Sequence, residues 1–171
     1  MVEWTGLGGG LLDDLFDAGG DGLPDCGDRY VLREVIGKGG QGIVYAADDK
    51  TLGRSVAIKR LHDPGADQRS LQNEARTLGR MAYPAVPQVY DQGRSPDGGW
   101  FVVMQQVIGQ ELSAALPALG PTVERLRLFR SIAGAVKHAH AHGILHRDLK
   151  PANILVSEEG EPYIIDWGLA A

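Results

Sequence analysis

The sequence predicts an α+β fold, and three observations carry that prediction. Up to about residue 106 the apolar residues fall in short β-branched and aromatic runs, divided by turns rich in Gly, Asp and Pro. Two stretches, over about 67–81 and 122–142, instead repeat their apolar residues at helical spacing. After the second comes a charged stretch, His146-Arg147-Asp148-Leu149-Lys150-Pro151-Ala152-Asn153, which leads into a short hairpin and which Pro151 keeps from continuing as a helix. Short strands joined by tight turns, with only two long helical stretches set among them, make an α+β chain.

A length of 171 residues suits one domain with a real core, and 43% hydrophobic with 23% charged residues is ordinary for a globular chain. The net charge of −5 is unevenly placed: residues 1–28 hold seven acids and no base, leaving 15 acidic against 17 basic residues in the remainder. The folded part therefore has no basic excess of the kind that nucleic acid would need. No apolar run approaches the roughly 18 residues of a membrane span, and no basic segment followed by an apolar one opens the chain. The single cysteine, Cys26, cannot form an internal disulfide, and a reducing, cytoplasmic compartment is expected.

Residues 1–28 combine their acids with eight glycines and one apolar cluster, Leu11-Leu12-Asp13-Asp14-Leu15-Phe16. They read as a disordered leader, with a partner-docking turn of helix as the other reading. A strand is predicted over 30–36, then Gly37-Lys38-Gly39-Gly40-Gln41-Gly42, then a second strand over 43–46. A dinucleotide-binding glycine loop would open a helix and be followed by an acid about 20 residues on. Here β-branched and aromatic residues follow at once, so the loop is a hairpin tip; nor does a Lys-Ser or Lys-Thr pair close it. Its glycines would let backbone N–H groups approach a phosphate, or would merely make a flexible tip.

The turn Asp48-Asp49-Lys50-Thr51-Leu52-Gly53 leads to a third strand over 55–61, whose alternation places Ala57, Lys59 and Leu61 on one face. A lysine among small and apolar neighbours needs an anion. The helix over about 67–81 offers one. Its apolar stripe runs through Leu71, Ala75, Leu78 and Ala82, and Glu74 lies on that stripe with no base at i±3 or i±4. Glu74 either pairs with a distant cation, Lys59 being the natural one, or sits in water at the stripe's edge. Strands over 86–90 and 100–106 flank the turn Arg94-Ser95-Pro96-Asp97-Gly98-Gly99.

The longest helix is predicted over 122–142 with Leu126, Phe129, Ile132, Ala133 and Val136 on one face. Of His138, His140 and His142 only the outer two share a helix face, and no cysteine accompanies them, which argues against a metal site. The closing hairpin pairs strands over 154–156 and 163–165 across the turn Ser157-Glu158-Glu159-Gly160-Glu161. That pairing brings Asn153 and Asp166 together at its open end, with Asp148 and Lys150 just upstream. Two oxygen ligands beside a lysine suit Mg²⁺ carrying a phosphate group; a polar loop capping a hairpin is the other reading.

With these residues in view, the stretch His146–Asn153 resembles the catalytic loop of eukaryotic-like, bacterial-type serine/threonine protein kinases, and Asp166-Trp167-Gly168 resembles their metal-binding triplet. The resemblance implies a kinase-like fold: a five-stranded antiparallel N-lobe with one helix and a hinge over 29–107, then the beginning of a mainly helical C-lobe over 108–171. It implies ATP as donor, Mg²⁺ or Mn²⁺ as cofactor and a protein Ser/Thr hydroxyl as acceptor. Asp148 would orient or accept the hydroxyl proton, and Lys150 would offset charge on the γ-phosphate. Lys59, paired with Glu74, would steady the α- and β-phosphates, while Asn153 and Asp166 would hold the metal. Gly37, Lys38, Gly39, Gly40, Gln41 and Gly42 would cover the phosphates, and Val44, Ala57 and Leu155 would sandwich adenine. Met104 would be the gatekeeper, or plain core, with Gln105 to Val107 as hinge. His146 and Trp167, with Leu78 and Val89, resemble the stacked spine of the two lobes.

Trp167 departs from the Phe usual in that slot. The resemblance covers about the front half of such a domain, so apolar surface on the long helix and hairpin is expected to be exposed and to favour self-association. A non-catalytic ATP-binding module, or an inactive fragment, is the alternative function.

Overall fold

The computed structural model describes residues 23–39, 42–62, 68–120 and 122–167. Gly40, Gln41, Gly168 and the apolar cluster of the leader lie outside them. Five strands form one antiparallel sheet: β1 (Tyr30–Gly39), β2 (Gly42–Asp49), β3 (Arg54–Arg60), β4 (Val89–Arg94) and β5 (Trp100–Met104), in the order β1-β2-β3-β5-β4. Helix α1 (Arg69–Arg80) lies between β3 and β4 in sequence. Alternation sorts the sheet's two faces. Val56, Ile58, Phe101 and Val103 pack on one side with Tyr30 and Cys26, while Val102 meets Leu71 and Ala75 of α1 on the other.

Three expectations change here. Cys26 is buried against the sheet, so packing begins before the expected domain boundary at 28/29, just ahead of Arg29, which grips Asp49 at 2.8 Å and Asp91 at 2.9 Å. Strand β4 starts at Val89 rather than 86, because the segment through Pro84 and Pro87 forms turns. Asp49, read as a turn residue, ends β2 fully buried, where the Arg29 guanidinium and the Thr51 and Leu52 N–H groups surround its carboxylate.

Past β5 the chain makes β6 (Gly109–Glu111), the short α2 (Leu112–Ala115), α3 (Thr122–Ala141), a 3-10 turn at Pro151–Asn153, β7 (Ile154–Ser157) and β8 (Pro162–Ile164). The expected hairpin of β7 and β8 gains a third strand, since β6 pairs with β7 in the order β6-β7-β8. Gly109 permits this, because a Cβ there would meet the Val156 carbonyl at 2.3 Å.

The apolar face of α3 read from the sequence divides between core and solvent. Leu128, Ile132, Ala135 and Ala139 are buried, whereas Leu126 is 60% and Phe129 67% exposed. The helix carries two adjoining apolar stripes. The one with two alanines lies closest to β8, joining a core that holds Leu78, Met81, Ile154, Ile164 and Trp167. The other borders an open hollow of about 430 Å³ with Phe129, Val136 and Leu149 on its walls. Among the described residues no helix is long and apolar enough to cross a membrane.

Candidate active site

Strand alternation sends the Lys59 side chain to the α1 side of the sheet, where Val102 lies opposite it in register. Its Nζ donates to both oxygens of Glu74, at 2.8 and 2.7 Å, and to Asp166 Oδ1 at 3.3 Å. Lys59 and Glu74 are 7% and 5% exposed, so the pair is buried and bidentate. Burial pushes the Glu74 carboxyl above the ordinary carboxylate range, against the pull of Lys59. A buried pair of this kind adds little net stability but fixes geometry. Here it fixes α1 against β3 and points the lysine at Asp166.

Asp166 follows β8 with a left-handed backbone (φ 61°), and its side chain is half exposed. The Ile165 N–H donates to the Asn153 carbonyl at 2.9 Å, which holds Asp166 one residue beyond the point where Asn153 leaves the 3-10 turn. The Trp167 ring anchors that end: it is 1% exposed, and its Nε1–H donates to the Ile164 carbonyl at 2.9 Å. His146 packs 4.5 Å from the Trp167 ring. Its Nε2 lies 3.0 Å from the Ile165 carbonyl, which can only accept, so the proton sits on Nε2; Nδ1 is then free to accept the Asp148 N–H at 3.3 Å. The imidazole thus ties the stretch leading to Asp148 to the segment after β8 that carries Asp166.

Asp148 is held through one oxygen. Lys150 Nζ (2.8 Å) and Asn153 Nδ2 (3.1 Å) both donate to Oδ2, and Asn153 Nδ2 also reaches the Asp148 carbonyl at 2.8 Å. Lys150 first, then Asn153, holds the Asp148 carboxyl below its ordinary range, so it is ionised at neutral pH. Among the described residues Oδ1 takes no hydrogen bond, which leaves it open to a hydroxyl proton. Arg147, just before it, also has a left-handed backbone (φ 66°).

The remaining expected site residues are spread over the strands that frame this centre. Gly37, Lys38 and Gly39 end β1, and Gly42 and Val44 open β2 opposite Arg60-side backbone and Lys59 respectively. Ala57 pairs with Met104 at the end of β5, and Leu155 on β7 lies between Glu111 and Tyr163. Gln105 donates its backbone N–H to the Gln88 carbonyl at 2.8 Å. His138 and His142 stack at 4.4 Å, and Tyr83 lies 5.2 Å from the His138 ring. One contact had no signal in the sequence: His62 Nε2 lies 2.8 Å from the Gly39 carbonyl.

Comparison with known proteins agrees with this geometry. The profile described as "Protein kinase domain" matches residues 30–171. The DNA damage-responsive serine/threonine-protein kinase RqkA of Deinococcus radiodurans is 40% identical over 149 residues, which is 84% of this chain and 22% of that protein. PknD of Mycobacterium tuberculosis is 36% identical over 88% of the chain and 24% of its own length, and PrkC of Bacillus subtilis 37% identical over 83% and 23%. Both are named serine/threonine-protein kinases. The chain thus spans about a quarter of the length of these curated relatives. With the profile match over residues 30–171 and the Lys59–Glu74 and Asp148–Asn153 arrangements in place, the chain belongs to the protein kinase domain family.

Proposed function

We propose that this chain binds Mg-ATP and directs its γ-phosphoryl group to a serine or threonine hydroxyl of a protein. The observation that carries the reading is Lys59, which joins Glu74 of α1 to Asp166 beyond β8 and so brings the sheet and the catalytic hairpin to one cation. On this reading Lys59 holds the α- and β-phosphates, and the glycine-rich residues Gly37 to Gly42 cover them. Adenine lies among Val44, Ala57 and Leu155, with Met104 behind it and the Gln105 carbonyl and Val107 backbone beside it.

The oxygens of Asn153 and Asp166 are hard donors of the kind Mg²⁺ or Mn²⁺ takes. Among the described residues no cluster of three His, Cys, Asp or Glu forms a full cage, which suits an ion that completes its shell with phosphate and water. When bound, the ion offsets charge on the phosphate oxygens. Asp148 Oδ1 receives or orients the proton of the serine or threonine hydroxyl as that hydroxyl's oxygen bonds to the γ-phosphorus. The bond from phosphorus to the β–γ bridging oxygen breaks and ADP leaves. Lys150 sits beside the transferred group and, through Oδ2, keeps Asp148 ionised.

A non-catalytic ATP-binding module has no support at this site, since every residue expected to do chemistry is present. Self-association through the exposed α3 face, and a cytoplasmic setting where ATP is supplied, belong to the same proposal.

The test is transfer of labelled γ-phosphate to a generic basic protein, comparing the parent with Asp148→Asn. Loss of the base should lower the rate by about 10²- to 10⁴-fold while Mg-ATP affinity is retained. Equal incorporation by both would refute the assignment.

A further inference from the structure

The pairing of β1 with β2 extends past the strand that backs it. The last register pair is Gly39 with Gly42, whereas β3 ends at Arg60 opposite Ile43. Beyond Arg60 the chain runs against Gly42 rather than away from it. A Cβ on Gly42 would meet the Arg60 carbonyl oxygen at 2.1 Å and the Leu61 Cα at 3.3 Å. Glycine is therefore required at 42 for the two backbones to pass so closely. That passage brings His62, two residues past β3, to the far strand of the hairpin, where its Nε2 lies 2.8 Å from the Gly39 carbonyl. A carbonyl only accepts, so Nε2 carries the proton and donates.

Among the described residues this contact is the one side-chain hydrogen bond between two parts of the site. On one side is the glycine-rich strand end; on the other is the link from β3, which carries Lys59, towards α1, which carries Glu74. β1 is an edge strand with β2 as its sheet neighbour, so a bond to its end fixes a carbonyl that no further strand holds. We infer that His62 is a positioning residue for nucleotide: by donating to the Gly39 carbonyl it sets the height of the glycine-rich strand end over the phosphates and couples it to the Lys59–Glu74 pair. This rests on the kinase reading above. It adds a residue to which neither composition nor periodicity had pointed.

The role predicts a phosphate-specific effect. His62→Ala removes one exposed hydrogen bond, so Mg-ATP binding should weaken about threefold to tenfold. Adenosine, which has no phosphate under the glycines, should bind as to the parent. His62→Gln places an amide N–H near the Nε2 position and should restore most of the ATP affinity.

The measurement is calorimetric or fluorescence titration of the full chain and both variants with Mg-ATP and with adenosine, with a melt of each protein to show that the exposed substitution leaves the fold intact. Selective loss in His62→Ala with recovery in His62→Gln supports the inference. Equal affinities across the three proteins, equal weakening for ATP and adenosine, or no recovery with glutamine would each overturn it while leaving the kinase reading standing. A parent that binds no nucleotide at all would overturn the kinase reading, and the role of His62 with it.

Discussion

Replacing Lys59 with methionine should destabilise the fold by an amount that depends on pH, and the size follows from Glu74. Methionine fills much the same volume, so the loss is chiefly electrostatic. Glu74 is 5% exposed and would keep no cation at hydrogen-bond distance, since both of its oxygens bond to Lys59 in the parent. A stranded buried carboxylate escapes its desolvation cost by taking a proton. The ceiling on the loss is therefore the cost of protonating an ordinary glutamate, which titrates near 4.5. At pH 7 that ceiling is about 3.4 kcal/mol, and at pH 5 about 0.7 kcal/mol. The sign follows from a folded-state pKa raised above the unfolded one: the deficit is absent below about pH 4.5 and grows as pH rises. Breaking a buried pair at neutral pH commonly costs about 3–5 kcal/mol, in line with that ceiling. Lys59→Met/Glu74→Leu removes both charges and should return to within about 1 kcal/mol of the parent. Urea unfolding followed by circular dichroism at pH 5 and pH 7 reads all three proteins. A deficit of equal size at both pH values, or a double variant as unstable as the single one, would refute the buried-pair argument.

Two further outcomes are expected. Asp49 is held at about 2 by the Arg29 guanidinium first, against an ordinary 3.8, and Asp97 is held at about 2 by Ser95 first. Depressed folded-state values mean that their stabilisation is full above about pH 4 and is lost as pH falls towards 2; Asp49→Asn should start less stable and show a shallower acid slope in that window, while an unchanged slope would count against the Arg29 pairing. Trp167→Phe removes the bond to the Ile164 carbonyl and leaves a gap in a slot that is 1% exposed, so thermal unfolding should show a loss of about 1–3 kcal/mol, and an unchanged melting temperature would refute the anchoring role.

Much of the site was legible because its residues contradict their surroundings. A lysine on an apolar strand face and a glutamate on an apolar helix stripe each lack a local partner, and burial makes a distant one necessary; the structure pairs them at 2.7 Å. The strands were legible because β-branched runs end in turns with few alternatives. Helix α3 was harder, since its two apolar stripes have the same period and only tertiary contact chooses between them. The choice fell to Ala135 and Ala139, whose small side chains let β8 come close, and Phe129 was left outside. Asp49 looked like a turn acid because its bonds to the Thr51 and Leu52 amides are a local turn pattern, whereas Arg29, the partner that goes with its burial, is gathered only by the fold. His62 gave no signal for the same reason. A histidine after a strand becomes informative only once Gly42 is seen to admit the chain beside it.

The left-handed backbone at Arg147 and Asp166 has a bearing on how such a sequence can change over time. An L-residue in that region carries roughly 1–2 kcal/mol of strain, less for aspartate than for arginine, and glycine carries almost none. At both positions a glycine would relax the chain, and at Asp166 it would delete the carboxylate that meets Lys59. At Asp166 the demands of folding and of the site therefore pull in opposite directions: the change that would stabilise the chain is the one that would empty the position facing Lys59.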